Sequence, residues 1–389
     1  MSIKIFKVIL YLNFPKFEKI TIFDQDYWLR KIVFKKEKKI ITIPAPPNIP
    51  IFLFLKFTLF LLSNLDKIRH IKSNSFFKRI YYYYIFSILD YSKTKIIVTY
   101  IDNSGIFSNL NKYDISKKRK YFAIQNGARH IPCVKTNLPK GYKITLDNFF
   151  CFGKREIFLF KKYSHKIKNF YPIGNIKSSF FYNKNLNVKK KFDICFVSQW
   201  QPKFEQNNFK DKVERRVSKE HKESINILVQ FLKRLSLKNK YKIIICLRTA
   251  KKEEKDYYNS QFKDTNFVLT VGNPKKFTTF KTILKSKLTI ALNSTTLTEI
   301  FGISKVLWVN ILNNKNFQMP EAGISYYNKN NFFNFKNRVE YLLNLKLVNY
   351  KKIIKNNVNY ISPKNFNRPP RLEIRKKIKE ELSNFKNEY

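Results

Sequence analysis

Polar residues that could do chemistry gather at the ends of short apolar runs in this chain. Ile96-Ile97-Val98-Thr99-Tyr100-Ile101 stops at Asp102-Asn103, and Lys120-Tyr121-Phe122-Ala123-Ile124 stops at Gln125-Asn126-Gly127-Ala128-Arg129. In the second half, Phe192–Val197 stops at Ser198-Gln199, and Lys287–Leu292 stops at Asn293-Ser294-Thr295-Thr296, with Glu299 one helical turn on. Buried parallel strands deliver polar loops to a ligand crevice in this way. Ser294, Thr295 and Thr296 supply hydroxyls and N–H groups suited to phosphate at a helix start, and Glu299 is placed for a sugar or ribose hydroxyl. Asp102 is the expected general base, and Gln125, Asn126 and Arg129 supply amides and a forked cation. Each also has a plain structural use: Ser294 as a helix cap, Asn126-Gly127 as a tight turn, Asp102 as an Asx turn.

Asp24-Gln25-Asp26 is a DxD triplet, the pattern of metal-dependent sugar transferases, and is read as a loop because it comes too early for a nucleotide-binding half to precede it. GxGxxG, GxxxxGK[ST] and GxSxG are all absent, so dinucleotide oxidoreductases, P-loop ATPases and serine hydrolases lack their entry motifs. Cys133, Cys151, Cys195 and Cys246 are far apart, and the four histidines are scattered, so neither disulfides nor a metal centre is expected. No cofactor is expected.

The elements that must position these residues fit two domains, since 389 residues exceed the ~250–300 at which one core stops growing. The pattern predicts strands near 3–12, 19–23, 32–34, 40–43, 95–101, 120–125 and 148–153, with helices near 50–65, 76–92 and 154–162. After the Asn- and Lys-rich run 182–191, strands and helices alternate: strands 192–198, 241–247, 266–270, 287–292 and 304–310, helices 219–236, 251–262, 276–285 and 296–302. The expected layout is a first domain over 1–180, a linker at 181–191, a second domain over 192–365, and a helix within 366–389 set off from the body by Pro363, Pro369 and Pro370. Residues 49–65 are apolar but carry Lys56 and fall short of the ~20 residues of a spanning helix, so they read as a buried helix or an interfacial one.

The net charge of +50 is spread over nearly every block of ten residues, and it accompanies an Ile, Phe, Tyr, Lys and Asn bias typical of AT-rich coding. A dedicated nucleic-acid binder concentrates its charge on one face, so no specific nucleic-acid partner is expected, whereas an anionic membrane surface remains a candidate partner. The N-terminus lacks signal-peptide architecture, which predicts a cytoplasmic protein, peripheral to the inner membrane in the interfacial-helix reading.

Taken together, Val98–Asn103, Phe122–Arg129, Phe149-Phe150-Cys151-Phe152-Gly153, Ile173-Gly174-Asn175, Phe196–Gln199 and Asn293-Ser294-Thr295 with Glu299 resemble a bacterial surface-carbohydrate (capsule or O-antigen) biosynthesis family of the GT-B glycosyltransferase type. The resemblance covers roughly residues 95–310. More distantly the chain looks like Kdo transferases and CDP-glycerol glycerophosphotransferases. It implies an α/β GT-B-like fold, with two Rossmann-like domains whose parallel sheets face a central cleft. It further implies a nucleotide-sugar donor held by the second domain and a glycan or lipid-linked acceptor against the first. Carried over, Ser198, Gln199, Arg248, Ser294, Thr295, Thr296, Glu299, Gly174 and Asn175 would meet the donor, and Asp102, Gln125, Asn126 and Arg129 would form the acceptor-side catalytic set. Two positions depart from the family pattern. Leu297 stands where a small glycine is expected, and Arg248-Thr249 stands where CMP-sugar relatives carry His-Pro, so Arg248 is expected to pair the phosphate. The alternatives are a catalytically degenerate scaffold of the same fold docked at the inner membrane and a metal-dependent DxD transferase.

Overall fold

Every strand pairing in the computed structural model is parallel, and the residues it describes are 10–11, 19–23, 29–35, 41–43, 49–50, 76–114, 118–135, 143–182, 188–202, 212–237, 240–263, 265–273, 276–365 and 367–385. Besides a two-stranded ladder of β1 (Leu10–Tyr11) and β4 (Ile49–Pro50), the described residues form two six-stranded sheets. The first contains β2 (Ile20–Phe23), β3 (Ile41–Ile43), β5 (Ile96–Thr99), β6 (Lys120–Ile124), β7 (Thr145–Cys151) and β8 (Lys166–Pro172), in the order β3-β2-β5-β6-β7-β8. The second contains β9 (Phe192–Val197), β10 (Ile243–Leu247), β11 (Phe267–Val271), β12 (Ser286–Ala291), β13 (Lys305–Val309) and β14 (Tyr326–Tyr327), in the order β11-β10-β9-β12-β13-β14. Counted along the chain the second order is 3-2-1-4-5-6, the doubly wound pattern in which ligands bind where the order reverses. Here that switch point lies between β9 and β12.

The strands are near-continuous apolar runs because both faces of each sheet are covered. On β5, Ile97 packs with Phe23, Tyr121 and Phe149 on one face, while Ile96 and Val98 pack with Ile22, Phe122 and Phe150 on the other. The first face is covered by the aromatic helix Phe76–Tyr91, through Tyr82–Ile85 and Leu89. The second is covered partly by the last helix, Pro370–Asn384, whose Ile374 and Ile378 are buried against Leu29, Ile32 and Val33. The chain thus returns from the second sheet to close the core of the first. The prolines at 363, 369 and 370 turn the chain back rather than detaching the helix, contrary to expectation.

Other departures are local. Residues 29–33 form a single π-helical turn where a strand was expected at 32–34. The helices Gly105–Tyr113 and Ile131–Lys135 and the edge strand β8 were not foreseen. β8 reads Lys-Ile-Lys-Asn-Phe-Tyr-Pro, and its edge position leaves it only partly buried, so it lacks the apolar run that marks its neighbours. Of the helix expected over 50–65, Pro50 ends β4 and residues 51–65 lie outside the described residues, as do Asp24 and Asp26. Among the described residues no helix is long and apolar enough to cross a membrane. Cys151, Cys195 and Cys246 are buried free thiols.

Candidate functional site

The switch point of the second sheet is built by two loops that grip each other. Gln199, just past β9, accepts the Asn293 N–H at 2.8 Å and also bonds the Asn293 side chain, just past β12. Ser294 then caps the short helix Thr295–Ile300, accepting the Thr296 N–H at 3.3 Å. Ser198 is buried and fully engaged: it donates to Glu254 Oε1 at 2.6 Å and accepts from the Trp200 N–H at 3.2 Å and the Tyr258 hydroxyl at 2.8 Å. Glu254 also accepts the N–H groups of Arg248 (2.9 Å) and Thr249 (2.7 Å) and the Thr249 hydroxyl (2.9 Å). This buried carboxylate therefore ties the loop after β9 to the loop after β10 and fixes the backbone from which the exposed Arg248 side chain projects. Nothing in the sequence distinguishes it from Glu253 beside it.

The first domain reaches the same place through three loops. After β6, the Ala128 N–H donates to Thr295 Oγ1 at 3.1 Å, and His130 Nε2 meets the Asn293 carbonyl at 3.0 Å. Gly127 precedes them, and a Cβ there would lie 3.3 Å from Thr295 Oγ1. After β8, Asn175 caps the helix Ile176–Tyr182 by accepting the Ser178 N–H at 3.0 Å, and its amide donates to Glu299 Oε1 at 3.3 Å. After β7 and β8, Gly153 and Gly174 make room for the returning chain. A Cβ on Gly153 would fall 2.4 Å from the Tyr360 and Ile361 carbonyl oxygens, and one on Gly174 (φ +83°) would fall 2.4 Å from that of Pro363. Gly174, expected at the donor, thus marks the crossing of the C-terminal segment, as does Gly153.

Asp102, expected as the base, is 2% exposed and does not line the cleft. Arg129 Nε donates to Asp102 Oδ2 at 2.8 Å, Arg129 Nη2 contacts Oδ1, and the Asn126 N–H donates to Oδ1 at 3.2 Å. Arg129 Nη2 also donates to the Asn126 side-chain oxygen at 2.8 Å. Asp102, Asn126 and Arg129 therefore form one cluster that shapes the loop after β6. Gln125 is buried and staples the loops after β6 and β7, donating to the Gly127 carbonyl at 2.8 Å and accepting the Phe152 N–H at 2.7 Å. Behind it, burial raises the Glu156 carboxyl to about 6, opposed by Arg155.

Between the loops lies a cleft of about 720 Å³. Seven of the residues expected at the donor line it: Ser198, Gln199, Arg248, Ser294, Thr295, Thr296 and Glu299. His130 and Lys177 enter from the first domain, His221 and Asn273 from the second, and Phe277 and Phe280 form an apolar wall. The cleft is cationic, with Lys177 and Arg248 against the carboxylate of Glu299. Glu299 is 4% exposed, and burial raises its carboxyl although Lys177, Lys364 and Asn175 pull the other way. Burial lowers the Lys364 amine to about 7, partly countered by Glu299. His130 is lowered to about 4 by burial and by the nearby charge of Arg155, with smaller contributions from Arg129 and His221. Its imidazole is therefore neutral near pH 7, and since Nε2 faces a carbonyl oxygen, Nε2 carries the proton and Nδ1 the lone pair. Among the described residues no group of three His, Cys, Asp or Glu side chains could hold a metal ion.

No family model matches the chain, and no curated protein matches it by sequence. Solved structures do match it in shape. The S. aureus MnaA–UDP co-structure aligns with a TM-score of 0.56 at 11% identity, covering 94% of this chain and 97% of that one. The UDP-GlcNAc 2-epimerase of Neisseria meningitidis, bound to UDP-GlcNAc, aligns at 0.52 and 13% identity, covering 92% and 99%. The wall teichoic acid polymerase TagF aligns at 0.51 and 12% identity, covering 95% and 90%. At such identities the likeness is one of fold: two doubly wound parallel sheets, joined across a cleft, make this chain a GT-B-type α/β protein.

Proposed function

We propose that this protein is a metal-independent glycosyltransferase that moves a sugar from a nucleotide-activated donor onto a surface polysaccharide or lipid-linked glycan. One observation carries the reading: the cationic cleft at the switch point of the second sheet is closed by loops of the first. Lys177 and Arg248 supply charge for a donor diphosphate, and the loop Ser294–Thr296 supplies hydroxyls beside them. Glu299, on the cleft wall, accepts hydrogen bonds from sugar or ribose hydroxyls. Structures with the same fold hold UDP and UDP-GlcNAc, which supports a nucleotide-sugar ligand for this cleft.

The acceptor approaches from the first domain, where the Asp102–Arg129 cluster fixes the loop that carries His130. His130 is the proton acceptor in this scheme. Its Nε2–H is held by the Asn293 carbonyl, which leaves Nδ1 to take the proton of the attacking hydroxyl. The negative charge of a bound donor offsets the Arg155 and Arg129 fields that keep the imidazole weakly basic, so the base strengthens when the donor is in place.

A thermal-shift screen against UDP-, GDP-, CDP- and CMP-linked sugars in EDTA tests the proposal. A ligand at 100 times its Kd adds ~2.7 kcal/mol of stability, well within detection. One nucleotide class should raise Tm in EDTA, and Arg248→Ala should remove the shift. A response confined to Mn²⁺ or Mg²⁺ and abolished by Asp24→Ala or Asp26→Ala would replace this reading with the metal-dependent one. No response to any class would leave the fold as a scaffold.

A further inference from the structure

On the opposite edge of the first sheet lies a second and larger hollow, of about 1050 Å³. It is bounded by strand beginnings rather than strand ends: Lys120 starts β6, Thr145 starts β7 and Lys166 starts β8. Strands of five to seven residues separate it from the cleft by about 20 Å. Of the fifteen described residues that line it, six are Lys or Arg, against 77 of 389 in the whole chain, so the charge of the described lining is about twice the average.

The two acids among the described lining residues, Asp114 and Asp147, are already engaged. Asp114 accepts two bonds from Arg119 at 3.0 Å and one from the Tyr121 hydroxyl at 2.8 Å. Asp147 accepts from Lys168 at 2.6 Å and from the Tyr121 N–H at 3.2 Å. Among the described residues, Lys112, Lys120, Lys143 and Lys166 face no carboxylate within ion-pair distance.

We propose that this groove is a second binding site, for an extended phosphate-bearing chain other than a nucleic acid. Lysine acts on phosphate as a point charge without the geometric demands of an arginine fork, which suits a flexible polyanion. Single-stranded nucleic acid needs aromatic platforms for its bases. Among the described lining residues the rings are Tyr121, which is buried, and His165, whose two nitrogens are bonded to the Ile144 N–H and the Val134 carbonyl. A planar bilayer meets flat or convex faces, whereas this surface is concave. The site is independent of the cleft and of the reaction assigned to it.

Fluorescently labelled short-chain inorganic polyphosphate is the probe, titrated between about 50 and 200 mM salt. The groove variant combines Lys112→Gln, Lys120→Gln, Lys143→Gln and Lys166→Gln. A control variant removes four exposed lysines of the second domain (Lys346, Lys351, Lys352 and Lys355, each to Gln). The groove variant should bind polyphosphate about tenfold more weakly and lower the salt slope by about one per lysine removed, while the control stays within about twofold of wild type. Equal losses in the two variants would mean diffuse attraction by the +50 chain and would overturn the site. So would a groove variant that loses binding to phosphatidylserine vesicles or to single-stranded DNA while still holding polyphosphate. The pair Lys120→Gln with Lys166→Gln repeats the test with a smaller perturbation, and an unchanged slope there also refutes the proposal.

Discussion

His130→Gln should flatten the acid limb of the stability curve. An ordinary imidazole has a pKa of 6.5, whereas His130 is held at about 4 by burial and by Arg155, Arg129 and His221. A folded-state value below the unfolded one means that the unfolded chain takes up the proton first. Stability is therefore complete above pH 6.5 and is lost as pH falls from 6.5 towards 4. At pH 5 the unfolded imidazole is nearly all protonated and the folded one about a tenth, which costs about 2 kcal/mol; at pH 7 the cost is close to nil. Glutamine keeps a donor for the Asn293 carbonyl and has no proton to gain. Urea denaturation of wild type and variant at pH 7 and pH 5 gives four midpoints. Burial also lowers His165, but it is common to both proteins and cancels in the difference. The variant should lose about 2 kcal/mol less than wild type between the two pH values. Equal losses would show that His130 is not held neutral by its surroundings, and the proton-acceptor role assigned to it would fall with that result. Calorimetry with the nucleotide in buffers of different ionisation enthalpy reads the same coupling from the ligand side, as proton uptake that His130→Gln abolishes.

Asp102→Asn removes the charge that Arg129 grips, and breaking a buried pair on one side costs about 3–5 kcal/mol; chemical denaturation should show a loss of that order, and an unchanged midpoint would refute a structural Asp102. Gly153→Ala places a Cβ 2.4 Å from the Tyr360 and Ile361 carbonyl oxygens, so the returning segment must shift, and hydrogen exchange in the helix Pro370–Asn384 should accelerate relative to wild type. Glu299→Gln should weaken nucleotide-sugar binding about ten- to a hundred-fold, the value of one charge-assisted hydrogen bond, with little change in Tm. Unchanged affinity in calorimetric titration would leave Glu299 as a domain-joining side chain bonded to Asn175.

Strands buried on both faces can be read from residue order alone. Ile96–Val98, Ile194–Val197 and Ile243–Leu247 are unbroken apolar runs because helices cover both sides of each sheet, and such runs are legible without a structure. The loops at the switch point were legible for the same reason, since Ser198-Gln199 follows Ile194–Val197 and Asn293-Ser294-Thr295 follows Leu288–Leu292. The edge strand β8, half exposed and lysine-rich, carried no such signal. Tertiary structure alone decided which polar groups are spent on holding loops and which face the cleft. Asp102 and Arg129 are 27 residues apart and satisfy each other, and Gln125 bonds the next loop, while Ser198, at the cleft wall, is held by Glu254, 56 residues away. Only the fold brings His130 and Lys177 across from the first domain, or returns the last helix to cover Ile96 and Val98. The physical reason is that local sequence specifies local hydrogen bonding and burial, whereas a side chain's partner across the cleft depends on how two separately specified sheets come together.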